Sequence, residues 1–241
     1  MHPILLKLGP FTVYSYGVMV ALGFAVATLL IYRRSPKFGI DPEKVIDIAI
    51  AMIVSGIIGA RLLYIILNLN FYLTDPIEIF KLSNGGLVWY GGFLSALVTV
   101  IIYTNKKGLG FWKVADLVAP YIALAQAFGR IGCYLNGCCY GIGPADRRFP
   151  VQLVSCAVLF AIYMVLKRWQ DKKHYTGEIF LAYCILYSLK RFFMEFLRAD
   201  NPKLLFSLTL SQAISVIIVV AASVLFIYKA LRWKKINSDS R

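Results

Sequence analysis

Residues 112–141 read WKVADLVAPYIALAQAFGRIGCYLNGCCYG. Residues 112–131 form an apolar run of about the 20 residues that an α-helix needs to cross the hydrocarbon core of a membrane. Arg130 stands at the end of this run, and four glycines and three cysteines fall within residues 129–141. Glycine-rich backbone bends sharply and exposes its N–H groups, and a fixed cation beside it suits an anionic group such as phosphate. The stretch therefore predicts a membrane-spanning helix followed by an anion-binding segment.

The rest of the chain has the same membrane character. Of its 241 residues, 59% are hydrophobic and only 16% are charged, which is more apolar than a soluble domain of this length needs. We predict an all-α membrane protein, a polytopic bundle of about seven transmembrane helices that forms a single domain over residues 1–241. The predicted spans are 12–32, 45–68, 87–104, 112–131, 150–167, 176–194 and 208–230.

The net charge of +14 comes from basic residues that lie mostly in the loops between these spans. Lysines and arginines cluster in alternate loops, and fewer lie in the loops on the other side. The first set is Arg33, Arg34, Lys37, Lys44, Lys106, Lys107, Lys113, Lys167, Arg168, Lys172, Lys173, Lys229, Arg232, Lys234, Lys235 and Arg241; the second is Lys7, Lys81, Arg147, Arg148, Lys190, Arg191, Arg198 and Lys203. Cytoplasmic loops carry the excess of basic residues, so the N-terminus should lie outside and the C-terminus in the cytoplasm. Topology and contact with anionic lipid explain the basicity, and we expect no nucleic-acid partner. The first span precedes its basic cluster and should remain as a helix.

Ionisable residues inside membrane spans are costly and usually face a bundle interior or an aqueous cavity. Arg61, Arg130 and Arg191 lie about 24, 27 and 22 Å from the cytoplasmic ends of their spans, at a helical rise of about 1.5 Å per residue. They therefore reach a similar depth near the outer leaflet. The alternative is that each arginine snorkels to the interface or pairs with a helix carbonyl. Asp116 lies near the cytoplasmic end of its span, where a structural or helix-start carboxylate is expected.

Other polar side chains reach the same outer level. Tyr16 and Tyr90 lie about 5 Å inside the outer ends of their spans, although an interfacial aromatic belt also explains tyrosines there. Glu195 follows Arg191 by four residues and precedes Arg198 by three, so these three residues suit a structural ion pair. Glu195 could also orient an arginine or act as a base.

Seven fragments carry a resemblance to a known family, and they occur in the family's order. They are YGVM at 16–19, GARL at 59–62, GGLVWYGG at 85–92, DLVAP at 116–120, the GRIG to NG to G pattern within 129–141, PVQL at 150–153 and RFFMEFLR at 191–198. With them, the chain resembles the bacterial phosphatidylglycerol–prolipoprotein diacylglyceryl transferases over nearly its whole length.

The resemblance implies a function. These enzymes transfer a diacylglyceryl group from phosphatidylglycerol to the lipobox cysteine thiol of a preprolipoprotein, forming a thioether and releasing glycerol phosphate. The implied partners are phosphatidylglycerol, lipobox peptides and membrane lipids, with no cofactor, in the bacterial inner membrane with the active site toward the outer leaflet. The implied catalytic residues are Arg130, Arg191, Tyr90 and Glu195. The implied phosphatidylglycerol-binding residues are Arg130, Tyr16, Arg61, Gly132, Asn136, Gly141 and Arg198.

The chain departs from the family pattern at three places. Tyr90 stands where many members have a histidine that is attractive as a base, Cys133 where an asparagine is usual, and Ser155 near the place of a common glutamate. The only histidines of the chain are His2 and His174. Which group takes the thiol proton is therefore open, with Glu195 or water as candidates.

The five cysteines fall into two sets. Cys156 and Cys184 lie in apolar spans and are expected to be packing residues. Cys133, Cys138 and Cys139 lie at the outer face, where packing, a disulfide or a redox role all stay open. Three cysteines without a histidine make a weak metal signature, so we expect no metal. The rival functions are a membrane thiol oxidoreductase that uses these cysteines, and a non-catalytic phospholipid-binding or transport protein on the same scaffold.

Overall fold

The computed structural model describes residues 2–8, 11–80, 86–144, 147–198 and 208–238. Gly85, Lys81, Lys203 and Arg241, which the sequence analysis named, lie outside them. The chain divides into two compact units: a first unit of residues 1–31 and 115–241, and a second unit of residues 32–114. The single-domain assignment stays a prediction.

Within the described residues, the chain forms a β-hairpin and eight α-helices. They are β1 (Ile4–Leu8), β2 (Phe11–Tyr14), α1 (Ser15–Arg34), α2 (Pro42–Leu67), α3 (Leu69–Thr74), α4 (Trp89–Lys106), α5 (Phe111–Asn136), α6 (Val151–Gln170), α7 (Glu178–Glu195) and α8 (Leu210–Ser238), with 3-10 turns at Ser35–Phe38 and Pro76–Phe80. Each of the seven predicted spans coincides with one of the long helices, and the all-α class is confirmed.

The main differences from the sequence analysis lie at the N-terminus and in the loop after α2. The first span was predicted to begin at residue 12, but α1 begins at Ser15, because the β-branched Thr12 and Val13 pair with Lys7 and Leu6 in the antiparallel hairpin. The short helix α3 was not predicted.

Five helices are long and apolar enough to cross a membrane, by length and composition alone. They are Ser15–Phe38, with the 3-10 turn included, Pro42–Leu67, Phe111–Asn136, Val151–Gln170 and Leu210–Ser238. The chain is therefore a multi-pass membrane protein. Helix α7 is less apolar, because its 18 residues include the four charged residues Glu178, Lys190, Arg191 and Glu195. The count of seven spans and the orientation of the termini stay predictions.

The first unit packs around α5. Ala119, Ala123 and Ala127 repeat at four-residue spacing on α5 and are buried. Small residues at this spacing let helices approach closely in a membrane. Gly23 of α1 serves the same purpose, because a Cβ there would come within 3.0 Å of the carbonyl oxygen of Ala125. This close packing fixes the position of α1 against the second half of α5.

The N-terminal end of α5 carries a buried polar network around Asp116, which is fully buried. Its carboxylate accepts hydrogen bonds from the backbone N–H groups of Gly177, Ile179 and Phe180, at 2.8, 3.0 and 3.1 Å, and from Lys173 Nζ at 2.9 Å. The N–H groups of a first helical turn have no partner within their helix. Asp116 is the hydrogen-bond acceptor for these N–H groups of α7. This confirms its expected structural role, although the helix that it caps is α7 and not its own helix α5.

A proline in α5 explains a second part of this network. Pro120 has no N–H, so it leaves the carbonyl of Asp116, four residues earlier, without its helical partner. The side chain of Gln170 at the end of α6 donates Nε2 to this carbonyl at 2.8 Å and to that of Leu117 at 3.1 Å. The proline therefore links α5 to α6.

In the second unit, α2 packs against α4 through glycines. A Cβ on Gly59 would come within 2.7 Å of the carbonyl oxygen of Gly91, and a Cβ on Gly92 within 3.0 Å of that of Gly56. The two backbones are therefore in contact. Arg61 lies on α2 two residues after Gly59, next to this contact between the helices.

Candidate active site

The C-terminal end of α5 turns sharply at Gly137, whose φ is +77°. Gly137 N–H donates to the Tyr134 carbonyl and Cys138 N–H to the Cys133 carbonyl, both at 3.2 Å. These are the two hydrogen bonds of a Schellman cap, for which glycine is favoured because it adopts positive φ without steric cost. The bend that the glycine-rich sequence predicted is present.

The loop after this cap is tied to α6 and α7. Gln152 Nε2 donates to the Cys138 carbonyl at 2.8 Å, and Gly141 N–H to the Phe149 carbonyl at 3.2 Å. Gly141 also forms a short antiparallel bridge with Arg198. A Cβ at Gly141 would come within 2.5 Å of the Phe149 carbonyl oxygen and 2.9 Å of the Leu197 carbonyl oxygen, so this position has room only for glycine. The loop thereby joins the end of α5 to the end of α7.

Four cations gather where these ends meet. Arg130 is half-buried and, within the part of the chain that the structure describes, its guanidinium has no hydrogen bond or ion pair. Lys190 is 6% exposed, and its Nζ likewise has no hydrogen-bond partner among the described residues. The charges of Arg130, Arg191 and Arg198 all act on Lys190, so the four groups form one cluster.

A single carboxylate accompanies this cluster among the described residues. Glu195 is 4% exposed and lies one turn from Arg191, with Arg191 Nη2 at 3.3 Å from Glu195 Oε2. Glu195 Oε1 accepts a hydrogen bond from Thr209 Oγ1 at 2.8 Å, and Arg191 Nη2 also donates to Ser211 Oγ at 2.8 Å. The ion pair expected between Glu195 and Arg191 is present. Among the described residues, Glu195 is therefore the one carboxylate beside three arginines and a lysine.

Tyr16 and Gly132 lie beside the cluster. A Cβ on Gly132 would come within 3.2 Å of Tyr16 Cδ2 and 3.1 Å of Met19 Cβ, so the missing side chain lets α1 approach α5. Tyr16 is 45% exposed and close enough to Arg130 and the three loop cysteines to feel their charges. Asn136 is exposed in the last turn of α5.

Arg61 and Tyr90 belong to the second unit. Arg61 is buried and donates hydrogen bonds to the carbonyls of Glu78, Ile79 and Gly86, at 2.6, 3.1 and 3.3 Å. The alternative named above was a helix carbonyl, whereas Glu78 and Ile79 lie in the 3-10 turn Pro76–Phe80 and Gly86 precedes α4. Tyr90 is 58% exposed at the start of α4.

The three loop cysteines lie close together. The Sγ atoms of Cys133, Cys138 and Cys139 all lie within 4.8 Å of one another, and those of Cys138 and Cys139 are 3.6 Å apart. Cys139 has a φ of +60°, a left-handed conformation that costs a residue with a Cβ about 1–2 kcal/mol. Hydrogen bonding from Cys133, with help from Cys138 and the charges of Arg198 and Arg130, lowers the pKa of the Cys139 thiol well below its ordinary value.

Sequence reasoning missed Lys190 and this cysteine cluster. Lys190 lies inside the predicted span 176–194, so the same search for charges within spans that found Arg191 could have found it. Gly137 was the available signal for the cysteines. A Schellman cap brings the residue four positions before its glycine close to the residue one position after it, and these are Cys133 and Cys138.

Comparison with known proteins gives consistent results over the whole chain. A family model described as prolipoprotein diacylglyceryl transferase matches residues 3–228. A phosphatidylglycerol–prolipoprotein diacylglyceryl transferase of Clostridium tetani is 35% identical, over 98% of this chain and 100% of that protein. A second, from Clostridium perfringens, is 36% identical over 92% of this chain and 93% of that protein, and one from Bacillus licheniformis is 32% identical over 98% and 96%.

Proposed function

The chain belongs to the prolipoprotein diacylglyceryl transferase family, and we propose that it transfers the diacylglyceryl group of phosphatidylglycerol to the lipobox cysteine of preprolipoproteins. A thioether forms and glycerol phosphate leaves. The proposed setting is the bacterial inner membrane, with the active site toward the outer leaflet, where the lipid donor and the lipobox peptide enter from the surrounding lipid.

The observation that carries this proposal is Arg130, which has no hydrogen-bond or ion-pair partner among the described residues and lies in a cluster of basic side chains. Clustered cations repel one another, and burial strengthens that repulsion because the local dielectric is lower than that of water. Glu195 forms its ion pair with Arg191 and not with Arg130. An external anion would supply the missing charge, and the phosphodiester of phosphatidylglycerol has the charge and the oxygen acceptors that arginine binds well.

We assign Arg130 and Arg191 to the phosphate, together with Lys190, which the sequence analysis did not include. As the carbon–oxygen bond breaks, negative charge grows on the leaving phosphate oxygen. Fixed cations stabilise that charge without rearranging, which is the form of electrostatic catalysis that lowers barriers most. Arg198 and Gly141 hold the loop against α7, and Gly132 lets Tyr16 approach the headgroup side of α5.

Glu195 serves best as an orienting group. Its Oε1 accepts a hydrogen bond from Thr209 and its Oε2 lies 3.3 Å from Arg191 Nη2, so we assign Glu195 to holding the arginine in place. Following the family resemblance, Tyr90 and Asn136 would hydrogen-bond the headgroup. Arg61 is better assigned to a structural role, because its guanidinium donates to the backbone carbonyls of Glu78, Ile79 and Gly86.

Purified protein in lipid nanodiscs containing phosphatidylglycerol, incubated with a lipobox peptide, tests the proposal. Mass spectrometry should detect a peptide carrying one diacylglyceryl group on cysteine, and none on a matched peptide with serine at that position. No adduct under conditions in which the Clostridium tetani relative modifies the same peptide would reject the enzymatic assignment. Tyr90→Phe then tests the headgroup role, since unchanged activity would exclude the Tyr90 hydroxyl from the reaction.

A further inference from the structure

The arrangement of Cys133, Cys138 and Cys139 matches what a thiophilic cation requires. Zinc–sulfur bonds of about 2.3 Å in a tetrahedral site place neighbouring sulfurs about 3.8 Å apart. The Sγ atoms of Cys138 and Cys139 are 3.6 Å apart, and all three Sγ atoms lie within 4.8 Å of one another. These separations are similar to those of sulfurs that share one ion.

The backbone around the cysteines is built for this convergence. The cap at Gly137 brings Cys138 back toward Cys133 in the last helical turn. Gln152 fixes the Cys138 carbonyl, and the left-handed conformation at Cys139 brings the third sulfur to the other two. Strained backbone at a residue other than glycine persists where the surrounding structure enforces it, and it is typical of functional sites.

The charges around the sulfurs also suit a metal–thiolate group. Arg130 lies three residues before Cys133 on α5, and Arg198 bridges to Gly141, two residues after Cys139. Three thiolates and one divalent cation carry a net charge of −1, which these arginines counterbalance.

We propose that Cys133, Cys138 and Cys139 bind one zinc ion, with a fourth coordination position that is open to the thiol of the substrate cysteine. Three protein ligands and one exchangeable position are typical of catalytic zinc sites, whereas structural sites use four protein ligands. The role given to the open position rests on the proposed transferase function; the three-thiolate site does not. It differs from the expectation that the chain binds no metal.

A zinc ion at this site would explain how the substrate thiol loses its proton in a chain that has Tyr90 where many family members have a histidine. A coordinated thiol loses its proton to solvent water near neutral pH, because a metal ion stabilises the thiolate. The thiolate sulfur then forms its bond to the glyceryl carbon while the carbon–oxygen bond to the phosphate breaks. The electron pair of that bond leaves with glycerol phosphate, beside Arg130. No separate protein base is needed.

Metal content tests the site without reference to activity. Protein purified with zinc in the buffer should contain about one zinc ion per chain by elemental mass spectrometry. The Cys133→Ser/Cys138→Ser/Cys139→Ser variant should contain none, whereas Cys156→Ser and Cys184→Ser, matched changes elsewhere in the chain, should keep it. Equal zinc in the triple variant and in wild type, or no zinc in wild type, overturns the site. So does a thiol titration of unfolded, unreduced protein that finds a disulfide among these cysteines.

Cobalt substitution tests the open position. The Co²⁺ protein should show thiolate-to-metal charge-transfer absorption, and a lipobox peptide with cysteine should shift it while the serine peptide does not. An unchanged spectrum with both peptides overturns the role of the open position. Zinc-depleted enzyme should lose about 100-fold in rate and recover it when zinc is restored; full activity without zinc overturns that role as well. Zinc binding in a protein that forms no adduct would instead reject the transferase proposal and leave the three-thiolate site standing.

Discussion

The two ends of α5 carry two polar regions that are built in opposite ways. At Asp116, one buried carboxylate accepts three backbone hydrogen bonds and pairs with Lys173 at 2.9 Å. About 21 Å further along the same helix, Arg130 has no partner among the described residues and lies in a cluster of cations that shares Glu195. The first region is complete without a ligand, and the second has unused hydrogen-bond donors and unbalanced charge.

This difference separates structural polar groups from functional ones in a chain where both are buried. A satisfied network stabilises the fold, because its members replace every hydrogen bond lost from water. A cluster of like charges destabilises the fold, and such exceptions to local rules are expected at functional sites. Substitution should therefore reduce stability at the Asp116 end and activity at the Arg130 end.

Arg130→Gln should give the largest effect on activity. Removing one fixed donor from a site that stabilises developing negative charge lowers turnover by about 100- to 1,000-fold. The midpoint of thermal unfolding should stay the same or rise, because the guanidinium makes no hydrogen bond to any described residue and its loss relieves repulsion. Diacylglyceryl transfer to the lipobox peptide and thermal unfolding in detergent are the two measurements.

Arg168→Gln, an exposed arginine near the end of α6, is the matched control and should leave both quantities unchanged. Arg191→Gln should resemble Arg130→Gln in activity but cost some stability, since Arg191 pairs with Glu195 and Ser211. Equal and mild losses in all three variants would show that the cluster does not hold the phosphate.

Asp116→Ala should give the opposite pattern. It leaves three buried N–H groups of α7 without an acceptor and Lys173 without its partner, which costs about 3 kcal/mol of the free energy of unfolding. The protein that remains folded should keep near-normal turnover. A large loss of turnover in fully folded Asp116→Ala protein would contradict the division between the two regions.

The fold could be predicted largely because its physics is local. Apolar length alone located the helices, and the depth of charges within those helices selected Arg130 and Arg191. The hairpin was missed because an apolar run at a chain end suits a strand as well as a helix. The capping of α7 by Asp116 could not be predicted, since residues 61 to 64 positions apart in the sequence meet there only through tertiary packing.

The candidate site was predicted in part for the same reason. Cations in spans are visible in the sequence, but whether a cation is already paired is visible only in the structure. Arg61 and Arg130 look alike in the sequence, yet Arg61 donates to three carbonyls and Arg130 has no partner in the described part of the chain. The cysteine cluster depends on one cap and one left-handed residue, and a motif search for metal ligands does not test for either.

Gln170→Leu should reduce the stability of the region around Asp116, but by less than Asp116→Ala does. It removes the donor that replaces the N–H missing at Pro120, and the carbonyl of Asp116 is then buried without a partner, at a cost of about 1–2 kcal/mol. Pro120→Ala restores a backbone N–H that can bond this carbonyl, so the double variant should lose less than Gln170→Leu alone. A double-mutant cycle on thermal unfolding measures this coupling, and additive effects would show that Pro120 and Gln170 do not act on the same carbonyl.

Cys139→Gly should have the smallest effect on stability. At the Arg130 end of α5 it should separate stability from zinc binding. Glycine adopts a φ of +60° without steric cost, so the substitution should stabilise the fold by up to about 1 kcal/mol. It also removes one of the three sulfurs, and zinc content should fall although the protein is no less stable. Cys139→Ala, which keeps the strained conformation and removes the sulfur, is the matched control: it should lose zinc without gaining stability. If both variants keep zinc, the strain at Cys139 has another cause; if both lose zinc and only glycine stabilises, the chain accepts a strained residue at this position in order to present a third thiolate.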